Sequence, residues 1–565
     1  MRVKCFLKAN KWRIVVLFVV LLVQCTFISQ KEGYHMDEIL SFQLGNAEYN
    51  PWIVPTQPEG RLAKFIHNEI DGETFGETVG NVVATVKDVL ENKGESKLLS
   101  YTADVYEEPV WIDRETFVDY VMVDAEDDFN YLSVYFNVKD DNHPPVHFML
   151  LHTMSSIFKG RVTPFMGCVI NLAAVLGICI LLMKLGEMLA SHSKGILEEQ
   201  GEKFGILAAL LYGLSGSAVA TSLLIRMYGV MTFFCVALLY VVMEKYFTGG
   251  FEKKNVCLII LTMLGFWTQY FFLFYCILLA VTVVVLLWEE KRSRELFCFI
   301  RSNLIAAVLG VVVWPFSIVH VLSSGRGVEA IENLGNGFGD FLERILSFGS
   351  LLLERCFGQV WVGGLFLVLA IIVVICNVSR LDWKVLSLLF VPAVGYFVLA
   401  AKVSPFMVDR YIMPVFPFVM MFMAAAFCMM VEKKRLAAGL ALLCMTCSLF
   451  GYDGTYLYRG YNSQLAVAKE YAQYPCICLY EGSGFYDNVL EFAEYEKTLL
   501  VTPDELLTQK MREDVSGLGE FVLLIKQSVS EEDFEQLLGV YDIELTKELS
   551  ANSVHGDQLY LCQIR

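Results

Sequence analysis

The sequence predicts an all-α polytopic membrane protein with about eleven transmembrane helices, a long first external loop and a small C-terminal α/β domain. Three observations carry that prediction. The chain is 56% hydrophobic and only 19% charged, with a mean hydropathy of +0.51. Apolar runs near the ~20 residues needed to cross a bilayer recur along its length. Its polar signatures, Tyr34-His35-Met36-Asp37-Glu38, His143-Pro144-Pro145, Arg226-Met227-Tyr228 and Arg410-Tyr411, fall at the same ends of those runs.

The runs lie near 12–29, 162–186, 204–222, 228–247, 255–271, 272–288, 301–321, 356–377, 384–401, 411–431 and 436–451. Those at 255–288 nearly merge, so the count can shift by one or two. Orientation follows from lysine and arginine placement. Arg2, Lys4, Lys8, Lys11 and Arg13 precede or open the first run. Lys253-Lys254, Lys291-Arg292-Ser293-Arg294, Arg380 with Lys384, and Lys433-Lys434-Arg435 occupy every second loop after it. This pattern expects a cytoplasmic N-terminus, an odd number of spans and residues 452–565 on the extracellular or periplasmic side of the cell membrane. A basic start also fits a signal peptide. The length of the apolar stretch, and the lack of a small-x-small site after Cys25, point to a retained anchor.

Four segments follow. Residues 1–30 form the first transmembrane helix. Residues 31–161 form an external loop with juxtamembrane helices, too long to be a simple connector. Within it, Trp52-Ile53-Val54 and Tyr131-Leu-Ser-Val-Tyr-Phe are amphipathic enough for the interface. Residues 162–451 form the helical membrane body. Residues 452–565 alternate helical and strand-like patterns, with helices expected around 462–473 and over Glu531–Tyr541. Strands are expected near Cys476–Tyr480, Thr498–Val501, Phe521–Ile525 and Gln558–Gln563.

The formal net charge of −17 belongs mostly to the exterior. Residues 101–142 hold Asp104, Glu107, Glu108, Asp113, Glu115, Asp119, Asp124, Glu126, Asp127, Asp128, Asp140 and Asp141 against Arg114 and Lys139. Such a surface repels phosphate backbones and excludes nucleic acid as a partner. The sixteen cysteines scatter through apolar runs, without metal-ligand spacing or a disulfide framework. Cys476, Cys478 and Cys562 lie outside, where pairing is open to them.

The chemistry rests on four signatures. Asp37 and Glu38 follow the first span closely, and adjacent carboxylates can divide labour between proton acceptance and positioning. His143 is held by Pro144 and Pro145, which fix the backbone before an apolar helix. Arg226, followed by Tyr228, ends an apolar run at the outward face, where arginine is unusual. Arg410-Tyr411 repeats that pattern after Asp409. Arginine suits phosphate because its planar fork donates two parallel hydrogen bonds. Each signature taken alone also fits a solvated loop, a helix start, an interfacial anchor or an Asp409–Arg410 ion pair. Their convergence on one face favours a site.

Asp37-Glu38, His143-Pro-Pro-Val-His-Phe-Met-Leu-Leu-His152, Arg226-Met-Tyr228 and Arg410-Tyr-Ile-Met-Pro414 together resemble the polytopic glycosyltransferases of the GT-C fold. The nearest grouping is glycosyltransferase family 39, with its protein O-mannosyltransferases and lipid A aminoarabinose transferases. The resemblance spans roughly residues 10–450. It implies a polyprenyl-phosphate-linked sugar donor, transfer at the outer face, and Asp37 as catalytic base with Glu38 beside it. The chain departs from the pattern at Thr268-Gln269-Tyr270, where many relatives carry Thr-His-Tyr, and in its acidic stretch 101–142.

Topology limits the donor independently. Nucleotide sugars are cytosolic, so an outward site needs a sugar already carried across on lipid. Polyprenyl phosphate leaves as an anion without protonation. The protein therefore supplies arginine for the phosphate, here Arg226 and Arg410 with help from Tyr228, Tyr411 and His143. It also supplies a base for the incoming hydroxyl. The acceptor is a glycan, a lipid or a protein. These residues identify no cofactor, and a divalent cation is compatible with them. The alternative reading, a lipid-linked-sugar flippase or other transporter, would place charge at mid-membrane and show paired halves. Here the charges lie at an edge and no repeat is visible.

Overall fold

The structure, a computed structural model, describes residues 10–102, 107–193, 201–322, 325–430, 433–550 and 554–565. Arg2, Lys4, Lys8 and Asp104 of the sequence reading lie outside the described residues. The chain is mostly helical and divides into two compact units. One contains residues 1–29, 141–147 and 167–455; the other contains 30–140, 148–166 and 456–565.

The first unit is the helical membrane body. Hydrocarbon offers no partners to backbone N–H and C=O groups, so apolar runs of this length close their hydrogen bonds internally as helices. Among the described residues, seven helices are long and apolar enough to cross a membrane: Lys11–Ile28, Pro164–Ser191, Tyr228–Thr248, Phe272–Glu289, Ser293–Val313, Trp383–Val403 and Asp409–Met429. Counting each of two bent pairs as one span raises the number to nine. The pairs are Gly201–Gly213 with Gly216–Leu223, bent by 59°, and Phe338–Phe357 with Val360–Cys376, bent by 86°.

Two further runs of the about eleven expected lie on shorter helices. The runs at 255–271 and 436–451 lie on helices of 11 and 17 residues, Val256–Phe266 and Lys434–Phe450. At about 1.5 Å per residue the first falls well short of a ~30 Å hydrocarbon core, whereas the second is at the lower end of spanning lengths. The run at 301–321 begins earlier and ends at Val313. Pro315 follows Trp314, and a residue before proline is pushed out of the helical region. Glycine makes the sharpest bend: Gly358 takes a positive φ of 80°, which a residue without Cβ adopts freely, and closes the preceding helix.

The second unit holds a six-stranded sheet in the order β1-β3-β2-β4-β6-β5. Its strands are β1 (Trp111–Asp113), β2 (Cys476–Leu479), β3 (Lys497–Val501), β4 (Glu520–Ile525), β5 (Ile543–Ser550) and β6 (Gln558–Ile564). β2 pairs parallel with β3 and β4, whereas β1, β5 and β6 join antiparallel. The four expected strands are present, as are helices Tyr461–Glu470 and Glu531–Tyr541. β1 comes from the long loop, its Ile112 opposite Thr498. Ile477, Leu479, Leu499, Phe521, Leu523 and Leu537 form the fully buried core of this sheet.

The cysteine expectation is corrected. Cys476, Cys478 and Cys562 are free thiols, all buried. β4 separates β2 from β6, so these strands lie ~10 Å apart, outside disulfide reach.

One buried carboxyl makes this unit sensitive to pH. Glu491, 1% exposed, accepts hydrogen bonds from Gln464 Nε2 at 2.7 Å and Asn488 Nδ2 at 3.1 Å. Burial outweighs these bonds and pushes its carboxyl up to about 7 from an ordinary 4.5. Above its ordinary value the unfolded chain gives up this proton while the folded chain keeps it. The group's contribution to stability therefore falls as pH rises from about 4.5 to about 7, by on the order of 3 kcal/mol. Glu491→Gln keeps the shape and removes the titration. Thermal-unfolding midpoints measured from pH 5 to pH 7.5 should show a flatter dependence in the variant than in the parent.

Candidate functional site

Asp37 and Glu38 open the helix Met36–Asn46 in the second unit. His35 caps it: its Nδ1 accepts from Asp37 N at 3.0 Å, and the Glu38 carboxylate accepts from His35 N at 2.9 Å. This is a capping box built on histidine instead of serine or threonine. The Glu38 carboxylate also takes both bonds from Lys31 Nζ, at 3.2 and 3.0 Å. Both side chains are wholly buried. Lys31 Nζ donates further to Tyr456 O at 2.8 Å and lies 4.7 Å from the centre of the Tyr458 ring.

The adjacent carboxylates thus stand in different surroundings. Glu38 ties a helix start to the segment at 456–458. Asp37 keeps 20% of its side chain exposed, with Oδ2 3.7 Å from His35 Nδ1. It sits in the first helical turn, where aligned peptide dipoles favour a negative charge.

The first unit gathers the other signatures. His143 Nδ1 lies 3.0 Å from Asp141 Oδ2. Arg226 Nη2 lies 3.4 Å from His143 Nε2 and 3.5 Å from Nδ1. After the two prolines, Val146 N donates to Trp267 O at 3.0 Å and anchors the start of helix Val146–Ile157. Arg226 occupies the break between helices Gly216–Leu223 and Tyr228–Thr248. Asn171 Nδ2 satisfies the backbone carbonyls exposed there, at 2.5 Å to Leu224 O and 3.1 Å to Arg226 O. The guanidinium side chain is nearly enclosed, at 5% exposure.

Charge sets the protonation of this group. Burial raises the Asp141 carboxyl, but His143, Arg226 and the Asn142 backbone outweigh it and hold the carboxyl below its usual range. Burial, then Arg226 and His143, press His147 down to about 3 against one backbone bond, so it stays neutral. The cluster joins a carboxylate, an imidazole and a guanidinium, with a neutral imidazole beside them.

Arg410 belongs to the same unit. Its guanidinium carbon lies 5.6 Å from the Tyr411 ring centre and 6.0 Å from that of Tyr228, and the two rings meet edge-on at 5.7 Å. Tyr396 Oη donates to Tyr411 O at 2.8 Å. Phe271 lies 5.2 Å from Tyr411 and follows Tyr270, whose hydroxyl meets His320 Nδ1 and Trp314 Nε1, each at 2.9 Å. Asp409 accepts from Arg355 Nε at 2.6 Å. Among the described residues, no three His, Cys, Asp or Glu side chains are grouped to hold a metal ion.

The first unit therefore brings His143 to Arg226, and Tyr228 and Tyr411 to Arg410. Three residues went unread in the sequence. Asp141 was hidden in an acidic stretch, although its place two residues before His143 was a usable signal. His320 supplies an imidazole beside Tyr270, which follows Gln269 in the chain. Lys31 left no signal, because its partner Glu38 is seven residues away.

No family model and no curated protein matches the sequence. Solved structures do. The crystal structure of ArnT from Cupriavidus metallidurans bound to undecaprenyl phosphate aligns over 98% of this chain and 98% of its own. Its TM-score is 0.50, at 11% identity. The apo-state structure of ArnT from that organism covers 74% of this chain and 87% of its own, with a TM-score of 0.46 at 9% identity.

The chain has a GT-C glycosyltransferase-like fold. Its full-length match includes the small sheet-bearing part along with the GT-C helices.

The Lys31–Glu38 pair yields a prediction. Lys31→Met strands a carboxylate with no exposed surface and should cost about 3–5 kcal/mol, whereas Lys31→Met/Glu38→Leu removes both charges and should recover most of it. Unfolding midpoints of the parent, the single and the double variant check this.

Proposed function

We propose that this chain is a membrane glycosyltransferase that moves a sugar from a polyprenyl-phosphate carrier to an acceptor hydroxyl at the outer face of the membrane. The observation that carries the reading is the enclosed Arg226 guanidinium at a break between two membrane helices, beside His143, which in turn meets Asp141. A cation enclosed in protein at the edge of an apolar span is costly to keep, which favours a functional role for it. Its planar fork matches a phosphate headgroup. The full-length likeness to an ArnT structure that holds undecaprenyl phosphate supports the same ligand class here.

In this reading Asp37 accepts the proton of the acceptor hydroxyl. The freed oxygen attacks the anomeric carbon from the side opposite the phosphate. The bond from that carbon to the phosphate oxygen breaks, and polyprenyl phosphate leaves as an anion held by Arg226 and Arg410. One displacement inverts the anomeric configuration. Tyr228, Tyr411 and His143 flank the phosphate, Asp141 orients His143, and Glu38 fixes the turn that presents Asp37. The N-terminus is cytoplasmic, and residues 452–565 lie on the side where transfer occurs.

Asp37→Asn keeps the size of the side chain but cannot take a proton at neutral pH. Turnover should fall ~100- to 10,000-fold with donor affinity retained. Arg226→Lys keeps the charge and loses the fork, so donor affinity should fall while the protein stays folded. Steady-state transfer kinetics and donor binding on the purified variants check both. Parent-like turnover in Asp37→Asn would move the base elsewhere.

A further inference from the structure

Arg355 is buried near the C-terminal end of helix Phe338–Phe357, at 8% exposure. Each of its three guanidinium nitrogens meets a different side chain. Nε donates to Asp409 Oδ2 at 2.6 Å, Nη1 to Asp453 Oδ1 at 2.7 Å, and Nη2 to Thr455 Oγ1 at 3.0 Å. The guanidinium carbon also lies 5.8 Å from the Tyr452 ring centre. Asp453 in turn accepts from Thr455 N at 3.0 Å and Thr455 Oγ1 at 2.5 Å, which folds residues 453–455 around the arginine.

The backbone crowds the same place. Gly216 N donates to Ser448 Oγ at 3.0 Å. A Cβ on Gly216 would stand 2.9 Å from Ser448 O and 3.2 Å from Arg355 O. Gly358 lies against Gly451, where a Cβ would meet backbone. Four segments of the first unit therefore converge on Arg355: its own helix end, the turn after helix Lys434–Phe450, helix Gly216–Leu223, and the segment Asp409–Val415. That last segment carries Arg410 and Tyr411 directly after the carboxylate that Arg355 holds.

We propose that Arg355 is a positioning residue for donor binding: its fork on Asp409, Asp453 and Thr455 fixes the segment Asp409–Val415 and so sets where Arg410 meets the donor phosphate. The inference rests on the phosphate-binding role given above to Arg410. A buried ion pair is weak as a source of stability, since apolar residues of similar volume often serve as well. It is strong as a source of geometry: three directed bonds from one rigid plane select one arrangement. All three nitrogens are used within the protein, so Arg355 acts through Arg410 and not on the lipid. Lysine at 355 keeps a charge but can satisfy the three partners only from one mobile point.

The test measures binding of undecaprenyl phosphate to the full-length protein in lipid nanodiscs. The variants are Arg355→Lys, Asp453→Asn, Arg410→Lys and the double variant Arg355→Lys/Arg410→Lys. Arg355→Lys is expected to raise Kd about 10-fold, and Asp453→Asn several-fold. The double variant should lose less affinity than the two single losses combined, because both changes act on one contact with the phosphate. A structural role would lower the unfolding midpoint and add its effect to that of Arg410→Lys.

Parent-like Kd in Arg355→Lys, or additive losses in the double variant, would overturn the proposal. If Arg355→Lys does not fold, parent-like Kd in Asp453→Asn would overturn it. Parent-like Kd in Arg410→Lys would fail the phosphate role of Arg410, a distinct result that takes the positioning role down with it.

Discussion

A charge taken out of water has to meet its counter-charge, and this single constraint shapes both units of the protein. In the second unit, Lys31 and Glu38 are paired with no exposed surface. Lys526 Nζ lies 2.8 Å from Asp557 Oδ2 and 2.8 Å from Asn488 Oδ1. In the first unit, Arg355 joins Asp409 and Asp453, and Asp141 answers His143 and Arg226. Breaking any such pair leaves an uncompensated ion, which costs more than the pair itself contributes. The charges therefore stay where the fold puts them. That immobility makes them usable for recognising another charge.

The same constraint separates residues that look alike in the sequence. Asp37 and Glu38 are neighbours of one chemical type, yet one is spent on a buried lysine and the other stays partly exposed at a helix start. Arg355 and Arg410 differ in a similar way. The first has its three nitrogens on protein oxygens; the second stands among the rings of Tyr228 and Tyr411. The division of labour between base and brace, and between ligand and brace, follows from these surroundings and not from residue type.

The helical body and the small sheet-bearing part were legible in the sequence because both have strong periodic signals. Apolar runs marked the spans, and strands at 476–480, 498–501, 521–525 and 558–563 read directly from alternating or continuous apolar residues. The losses have physical reasons. Val256–Phe266 lies in a run that composition reads as a span, but its helix stops after 11 residues and the chain turns through 267–271 before the next helix begins. β1 is three residues long and pairs with a strand nearly four hundred residues later, a contact no local pattern encodes. Arg226 and His143 were legible because charge at an apolar boundary is conspicuous. Asp141 was not, because eleven other acids surround it in the sequence.

The central claim is that Arg226 and Arg410 serve a sugar-bearing polyprenyl phosphate. It is tested most directly by incubating the purified protein with a panel of polyprenyl-phosphate sugars and an acceptor-containing membrane extract, and measuring release of polyprenyl phosphate. The account predicts release with at least one donor, lost in Asp37→Asn and weakened in Arg226→Lys. Binding of those donors with movement across the bilayer, and with the bond between sugar and phosphate intact in every case, would contradict it and identify a transporter instead.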